Sequence, residues 1–229
     1  MNWKKKVFKN FKLYAITDLR AEDAGIFKKV EDAYRGGADI VQLRSKTLSD
    51  AALYRLGRRF RRIADRYRKL FFVNDRPDLA LAVEADGVHL GQDDMPIEAA
   101  RRIFRGKKIF IGRSTHSLSE ALRAVREGVD YIGVGPIFET PTKPTYLAVG
   151  VELIHQVKDR VQIPFVCVGG IDLENVRDVI AAGASRIAVV RAVFSAANVY
   201  QAARSLAGVL QTDTLQKVQR EYQEQGVRE

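Results

Sequence analysis

Short apolar, β-branched runs alternate with longer stretches of helical spacing along most of the 229-residue chain. The runs predict strands at Leu13–Thr17, Asp39–Leu43, Leu70–Val73, Gly87–Leu90, Lys108–Gly112, Tyr131–Val134, Pro164–Val168 and Arg186–Val190. Between them, apolar positions three and four apart predict helices at roughly Ala21–Arg35, Ser49–Arg68, Pro77–Val83, Pro96–Phe104, Leu118–Glu127, Gly150–Lys158, Leu173–Ala182 and Ala196–Leu210. The second of these is the clearest. Leu53, Leu56, Phe60, Ile63, Tyr67 and Leu70 mark its buried face, and Arg58, Arg59, Arg61, Arg62, Arg66 and Arg68 lie mostly on the other. Start signals agree: Ser49 precedes that helix, Pro96 suits a first turn, and Ser117 has Glu120 three residues on, as a capping box requires.

Strands and helices that alternate in this way imply a parallel sheet with right-handed crossovers. At this length the leading closed solution is a single α/β domain, the (β/α)8 or TIM barrel. Residues 13–210 would form it, with 1–12 a basic N-terminal extension and 211–229 a polar C-terminal tail. Small-residue turns ahead of every second strand, such as Gly36-Gly37-Ala38-Asp39 and Glu127-Gly128-Val129-Asp130, suit helix stops at the barrel's lower face. A doubly wound open sheet is the second choice, but no G-x-G-x-x-G follows the first strand.

Composition then removes whole classes. The chain is 46% hydrophobic with mean hydropathy −0.18, and no run reaches the roughly 18 apolar residues of a spanning helix. One cysteine, Cys167, excludes an intrachain disulfide and a four-cysteine zinc site. No apolar signal core follows the basic start, so a cytoplasmic location is expected. Lys and Arg number 38 against 28 Asp and Glu, a net +10. That excess fits nucleic acid, an anionic membrane or small phosphorylated molecules. The arginines of the second helix read as a solvated face, and no nucleic-acid-binding motif accompanies them. Phosphorylated small molecules are the expected partners, with neither nucleic acid nor membrane. The sequence leaves oligomeric state open, a homo-oligomer included.

A barrel of this kind carries its chemistry in the loops after the C-terminal ends of the strands. Gln42, Arg44 and Lys46 alternate after the second strand and bring positive charge to the rim. Asp75, after the third, and Asp93 or Asp94, after the fourth, can converge on one hard cation. Magnesium takes one or two carboxylates together with phosphate oxygens, so a diphosphate carried on magnesium fits. Gly169-Gly170, after the seventh strand, suits a second anion held by backbone N–H groups. His89, inside a strand, reads as a packed core residue. His116 could orient a substrate, Ser114 and Thr115 offer hydroxyls, and Cys167 reads as a small core residue.

Taken in order, Leu13-Tyr14-Ala15-Ile16-Thr17-Asp18, Gln42-Leu43-Arg44-Ser45-Lys46, Val73-Asn74-Asp75, His89-Leu90-Gly91-Gln92-Asp93-Asp94, Ser114-Thr115-His116-Ser117, Gly133-Val134-Gly135-Pro136, Thr140-Pro141-Thr142-Lys143 and Gly169-Gly170-Ile171 closely resemble the thiamine-phosphate synthase family. The resemblance runs from about Leu13 to Leu210. It implies a transferase that joins hydroxymethylpyrimidine diphosphate to a thiazole phosphate and releases diphosphate, by a magnesium-assisted dissociative route. It further implies that Gln42, Arg44, Lys46, Asn74, Ser114 and Lys143 contact the pyrimidine diphosphate, with Arg44, Lys46, Ser114 and Lys143 the catalytic set. Asp75 and Asp94 match the magnesium ligands. Thr140, Thr142, Gly170, Val190 and Arg191 match the thiazole phosphate pocket, Arg191 standing where the family often has a small hydroxyl residue. Two alternatives accompany this reading: a thiazole tautomerase of the same barrel family, and a non-catalytic barrel with a basic binding face.

Overall fold

The computed structural model describes residues 3–141 and 147–225, with side chains described as far as Thr212. Alternate residues of a strand face opposite sides, and here both sides are dry. Leu13 and Ala15 of β1 (Leu13–Ile16) pack outward into a helical layer, while Tyr14 and Ile16 point inward. The same alternation continues through β2 (Ile40–Leu43), β3 (Leu70–Asn74), β4 (Gly87–Leu90), β5 (Phe110–Thr115), β6 (Tyr131–Val134), β7 (Phe165–Val168) and β8 (Ile187–Val189). All pair in parallel and in sequence order, and β8 closes onto β1 with Ala188 beside Tyr14. The expected TIM barrel is therefore present.

The expected helices form the outer layer as α2 (Ile26–Arg35), α3 (Asp50–Tyr67), α4 (Pro77–Ala82), α5 (Ile97–Phe104), α6 (Leu118–Arg126), α7 (Glu152–Lys158), α8 (Val176–Ala181) and α10 (Val199–Gln225), the last of which runs past its expected end at Leu210 into the segment read as a polar tail. Ser49 and Ser117 cap α3 and α6, accepting from the N–H groups of Ala52 and Glu120. Glu120 reaches one residue further back than a capping box, to the His116 N–H at 2.7 Å.

Other local expectations shift as well. The fifth strand starts and ends later than Lys108–Gly112, because Ser114 and Thr115, polar enough to suggest a loop, pair with Gly133 and Val134 of β6. Arg61 is not on the solvated face of α3: it is buried and donates to Asp65 and Asp86. Residues 1–12 contain a further helix, α1 (Trp3–Asn10), which closes the lower end of the barrel. Phe8 stacks on Phe110 with centroids 3.8 Å apart, Phe11 meets Tyr14 and Tyr131 edge-on, and Lys4 pairs with the buried Asp86 at 2.7 Å. One short helix, α9 (Arg191–Phe194), follows β8 directly.

Part of the basic surface of α3 is neutralised within the fold. Arg55 pairs with Glu22, Arg58 with Glu84 and Arg66 with Glu31, while Arg59 lies 3.5 Å over the Phe27 ring. Among the described residues, no helix is long and apolar enough to cross a membrane.

Candidate active site

Two adjoining cavities lie at the C-terminal ends of the strands. The larger, about 420 Å³, is lined by Gln42, Arg44, His89 and Ser114 on one side and by Gly169, Gly170, Val190 and Arg191 on the other. The smaller, about 300 Å³, is lined by Lys46, Asp75, Arg76 and Asp94, and Asn74 at the end of β3 borders both. Gln42 and Arg44 thus share a pocket as their alternation suggests, but Lys46 turns into the neighbouring one.

The smaller cavity is the acidic end. Asp75 follows β3 with φ 61°, a left-handed conformation that aspartate and asparagine tolerate better than most residues other than glycine. Its N–H donates to the His89 carbonyl at 2.8 Å, which ties the turn to the adjacent strand. Its carboxyl faces that of Asp94 within hydrogen-bonding reach and is ion-paired with Lys46. Burial and the Asp94 carboxylate push the Asp75 carboxyl above its usual range, and Lys46 pulls the other way. Asp94 is held by the Gly91 N–H, which donates to Oδ2 at 2.6 Å, whereas Asp93 is exposed. Of the two acidic residues after β4, Asp94 is the one that meets Asp75. Two facing carboxylates whose charges repel suit a small divalent cation that draws its other ligands from phosphate and water. Among the described residues no larger group of His, Cys, Asp or Glu gathers into an all-protein metal cage.

In the larger cavity the buried Arg44 guanidinium pairs with Asp18, from the segment after β1. Gln42 donates to the Tyr14 hydroxyl at 2.6 Å. His89 corrects its reading as a packed core residue: it borders the cavity, with Nε2 2.9 Å from Ser114 Oγ and Nδ1 2.8 Å from the Tyr131 hydroxyl. Ser114 is further fixed through its carbonyl, which accepts from Gln92 Nε2, while Gln92's own carbonyl accepts from Arg113 at 3.0 Å. His116 also lines the cavity and is anchored by Nδ1 on the Gly135 carbonyl. Cys167 faces the helical layer, where burial pushes its thiol up and away from nucleophilic use.

At the far side, Thr140, Gly170, Val190 and Arg191 all border the cavity, as their expected role requires. Gly170 has φ 64°, and a Cβ there would stand 2.6 Å from the Glu139 carbonyl oxygen. The close approach of the loop after β6 demands glycine at this position before any ligand does. Thr142 and Lys143 lie outside the described residues.

Asp18, Tyr14, Tyr131 and the role of His89 escape a reading by loops. Asp18 ends one of the resembling motifs, which was the available signal. The tyrosines face inward by strand alternation, but nothing in their spacing announces that their hydroxyls meet.

Comparison with known proteins gives consistent matches. A family model described as thiamine monophosphate synthase matches residues 13–193. A thiamine-phosphate synthase of Pyrococcus horikoshii is 44% identical over 211 residues, covering 92% of this chain and 98% of the relative. Another from Thermus thermophilus is 48% identical over 179 residues, covering 78% and 85%. Among solved structures, a thiamine phosphate pyrophosphorylase from Pyrococcus furiosus superposes with TM-score 0.81 at 40% identity, covering 89% of this chain and 97% of that one.

Proposed function

Because the chain belongs to the thiamine monophosphate synthase family, we propose that its two adjoining cavities hold the two halves of one condensation. The activity is that of a thiamine-phosphate synthase, a transferase. In this reading, hydroxymethylpyrimidine diphosphate places its diphosphate in the Lys46–Asp75–Asp94 cavity and its ring beside Gln42, Asn74 and Ser114. The thiazole phosphate enters from the Gly169–Gly170 and Val190–Arg191 side. The supporting observation is the shared border at Asn74: a pocket lined by Lys46, Arg76, Asp75 and Asp94 opens beside a largely apolar one that ends in a glycine turn and a short helix. Barrels often bind phosphate with the loops after strands seven and eight and such an extra helix.

Asp75 and Asp94 would hold a magnesium ion, which when bound supplies positive charge to the departing phosphate oxygens. Lys46 and Arg44 add cationic charge to the same leaving group, and Lys143 is assigned with them from the family pattern. As the carbon–oxygen bond breaks, its electron pair leaves with the diphosphate. The aminopyrimidine ring shares the positive charge left on its methylene carbon. The thiazole nitrogen then gives its lone pair to that carbon. The protein contributes preorganised charge and alignment, and no covalent nucleophile is required. Asp18 holds Arg44 in place, and the ion pairs of Arg55, Arg58 and Arg66 on α3 weigh against a nucleic-acid reading. The reading includes a cytoplasmic location.

Purified protein mixed with both substrates and magnesium should release diphosphate and form thiamine phosphate. Absence of diphosphate release, with binding of either ligand intact, would remove the synthase reading.

A further inference from the structure

We propose that Gln42, Tyr14, Tyr131, His89 and Ser114 form a one-way hydrogen-bond relay that fixes the tautomer of His89 and turns the Ser114 hydroxyl into an obligate donor toward the larger cavity. Tyr14, Tyr131 and His89 are then positioning residues for Ser114. That Ser114 meets the pyrimidine substrate rests on the function proposed above, but the relay itself does not.

The direction follows from counting hydrogens. Gln42 Nε2, a donor only, gives its hydrogen to the Tyr14 oxygen at 2.6 Å. The Tyr14 and Tyr131 hydroxyls are 3.3 Å apart, and the Tyr131 hydroxyl is 2.8 Å from His89 Nδ1. Both tyrosines are fully buried and burial pushes both phenols up, so each is neutral and carries one hydrogen. Were Tyr131 to donate to Tyr14, the Tyr14 hydrogen would face the Gln42 donor, an unmade bond in a dry interior. Tyr14 therefore donates to Tyr131, and Tyr131 donates to His89 Nδ1. A ring nitrogen that accepts carries no hydrogen, so the hydrogen of the His89 ring sits on Nε2, 2.9 Å from Ser114 Oγ. Ser114 Oγ accepts that bond, and its own hydrogen is left to point into the cavity that the residue borders.

The barrel is shaped around this line. Gly112 of β5 lies in register with both His89 and Tyr131, and a Cβ on it would fall 2.1 Å from the Tyr131 ring carbon Cζ and 2.6 Å from its hydroxyl. Only glycine leaves the phenol room to reach the histidine.

The test is nitrogen NMR of the histidine rings in the full-length protein, with the His89 signals assigned by their loss in His89→Gln. The wild type should show His89 protonated at Nε2 and bare at Nδ1; the reverse pattern overturns the relay. Tyr131→Phe keeps the ring and removes the hydroxyl. It should bring a Nδ1–H population into His89 and lower kcat about tenfold, as expected for one lost hydrogen bond in the transition state, with little change in KM. An unchanged tautomer overturns the relay, and an unchanged kcat overturns the positioning role. If Tyr131→Phe does not fold, Gln42→Glu replaces the leading donor by an acceptor and should reverse the line to Nδ1–H; persistence of Nε2–H there overturns it. A wild type that shows the expected tautomer without turnover would count against the synthase reading and leave the relay standing.

Discussion

Asp75→Asn should make the metal-free protein more stable while abolishing its activity. The substitution keeps the volume of the side chain and removes one of two facing carboxylates. Two unit charges about 4 Å apart repel by roughly 4 kcal/mol at an effective dielectric near 20, as an upper figure. Against this stands the ion pair with Lys46, whose side chain is 59% exposed, and pairs of that kind contribute about 0–1 kcal/mol. Asparagine tolerates the left-handed backbone at φ 61° as well as aspartate does. The net gain is therefore about 1–3 kcal/mol. At about 2–4 °C per kcal/mol for a chain of this size, the melting temperature should rise by at least about 2 °C.

The pH dependence carries the sign. The Asp75 carboxyl sits above its usual range through burial and Asp94, against the pull of Lys46. A raised carboxyl favours the fold while protonated, so that contribution is complete below the unfolded value of about 3.9 and is lost as pH rises through the folded value. The advantage of Asp75→Asn should thus be present at neutral pH and vanish in acid. Thermal melts with and without magnesium, beside diphosphate release, measure all of this. Magnesium should raise the melting temperature of the wild type and scarcely that of the variant. A variant that melts below the wild type at neutral pH without metal, or that keeps full turnover, would refute the reasoning.

Arg44→Ala or Lys46→Ala should lower kcat/KM at least about tenfold, since charge-assisted contacts are worth roughly 1.5–3 kcal/mol; steady-state kinetics with varied pyrimidine diphosphate measures this. Arg59→Ala, which removes only a cation resting on Phe27, should leave turnover unchanged and cost about 0.5–1 kcal/mol in denaturant melts. Gly112→Ala should lower both stability, by about 1–3 kcal/mol for the forced overlap with Tyr131, and kcat; an unchanged melt would mean that the ring has room to move. Gly170→Ala should destabilise the protein by a similar amount through the Glu139 carbonyl, even with no ligand present, which a melt of the apoprotein tests.

The barrel was legible because its outer face obeys a simple rule. Leu13, Val41, Phe71, Val88, Ile111 and Ile132 must all be apolar to meet the helices, so each strand shows as a run. The candidate site was legible where charge gathers at the strand ends: Arg44, Lys46, Asp75 and Asp94 bring both signs to neighbouring loops of the rim, where a barrel carries its chemistry. What stayed hidden depends on partners distant in sequence. Ser114 and Thr115 look like loop residues until β6 supplies their ladder, and Trp3, Val7 and Phe8 show no strand or long helix until the open bottom of a barrel needs covering. His89 looks like core because it is core on one side. Only the meeting with Tyr131, 42 residues later, gives its ring a direction.

The barrel interior answers two opposing demands along its axis. Near the bottom, Phe8, Phe11, Phe72 and Phe110 fill the space with stacked and tilted rings. Above them the same inward positions become Tyr14, Gln42, Tyr131, His89 and Ser114, whose polar atoms are costly to bury unless each finds a partner. The hydroxyls of Tyr14 and Tyr131 are where the two regimes join: their rings belong to the aromatic plug and their oxygens to the site. Stability is carried mainly by the outer layer, where Cys167, Val134 and Val189 meet the helices. Outward substitutions on a given strand should therefore change the melting temperature with little effect on turnover. Inward substitutions near its C-terminal end should do the reverse. Gly112, inward and pressed against Tyr131, should do both.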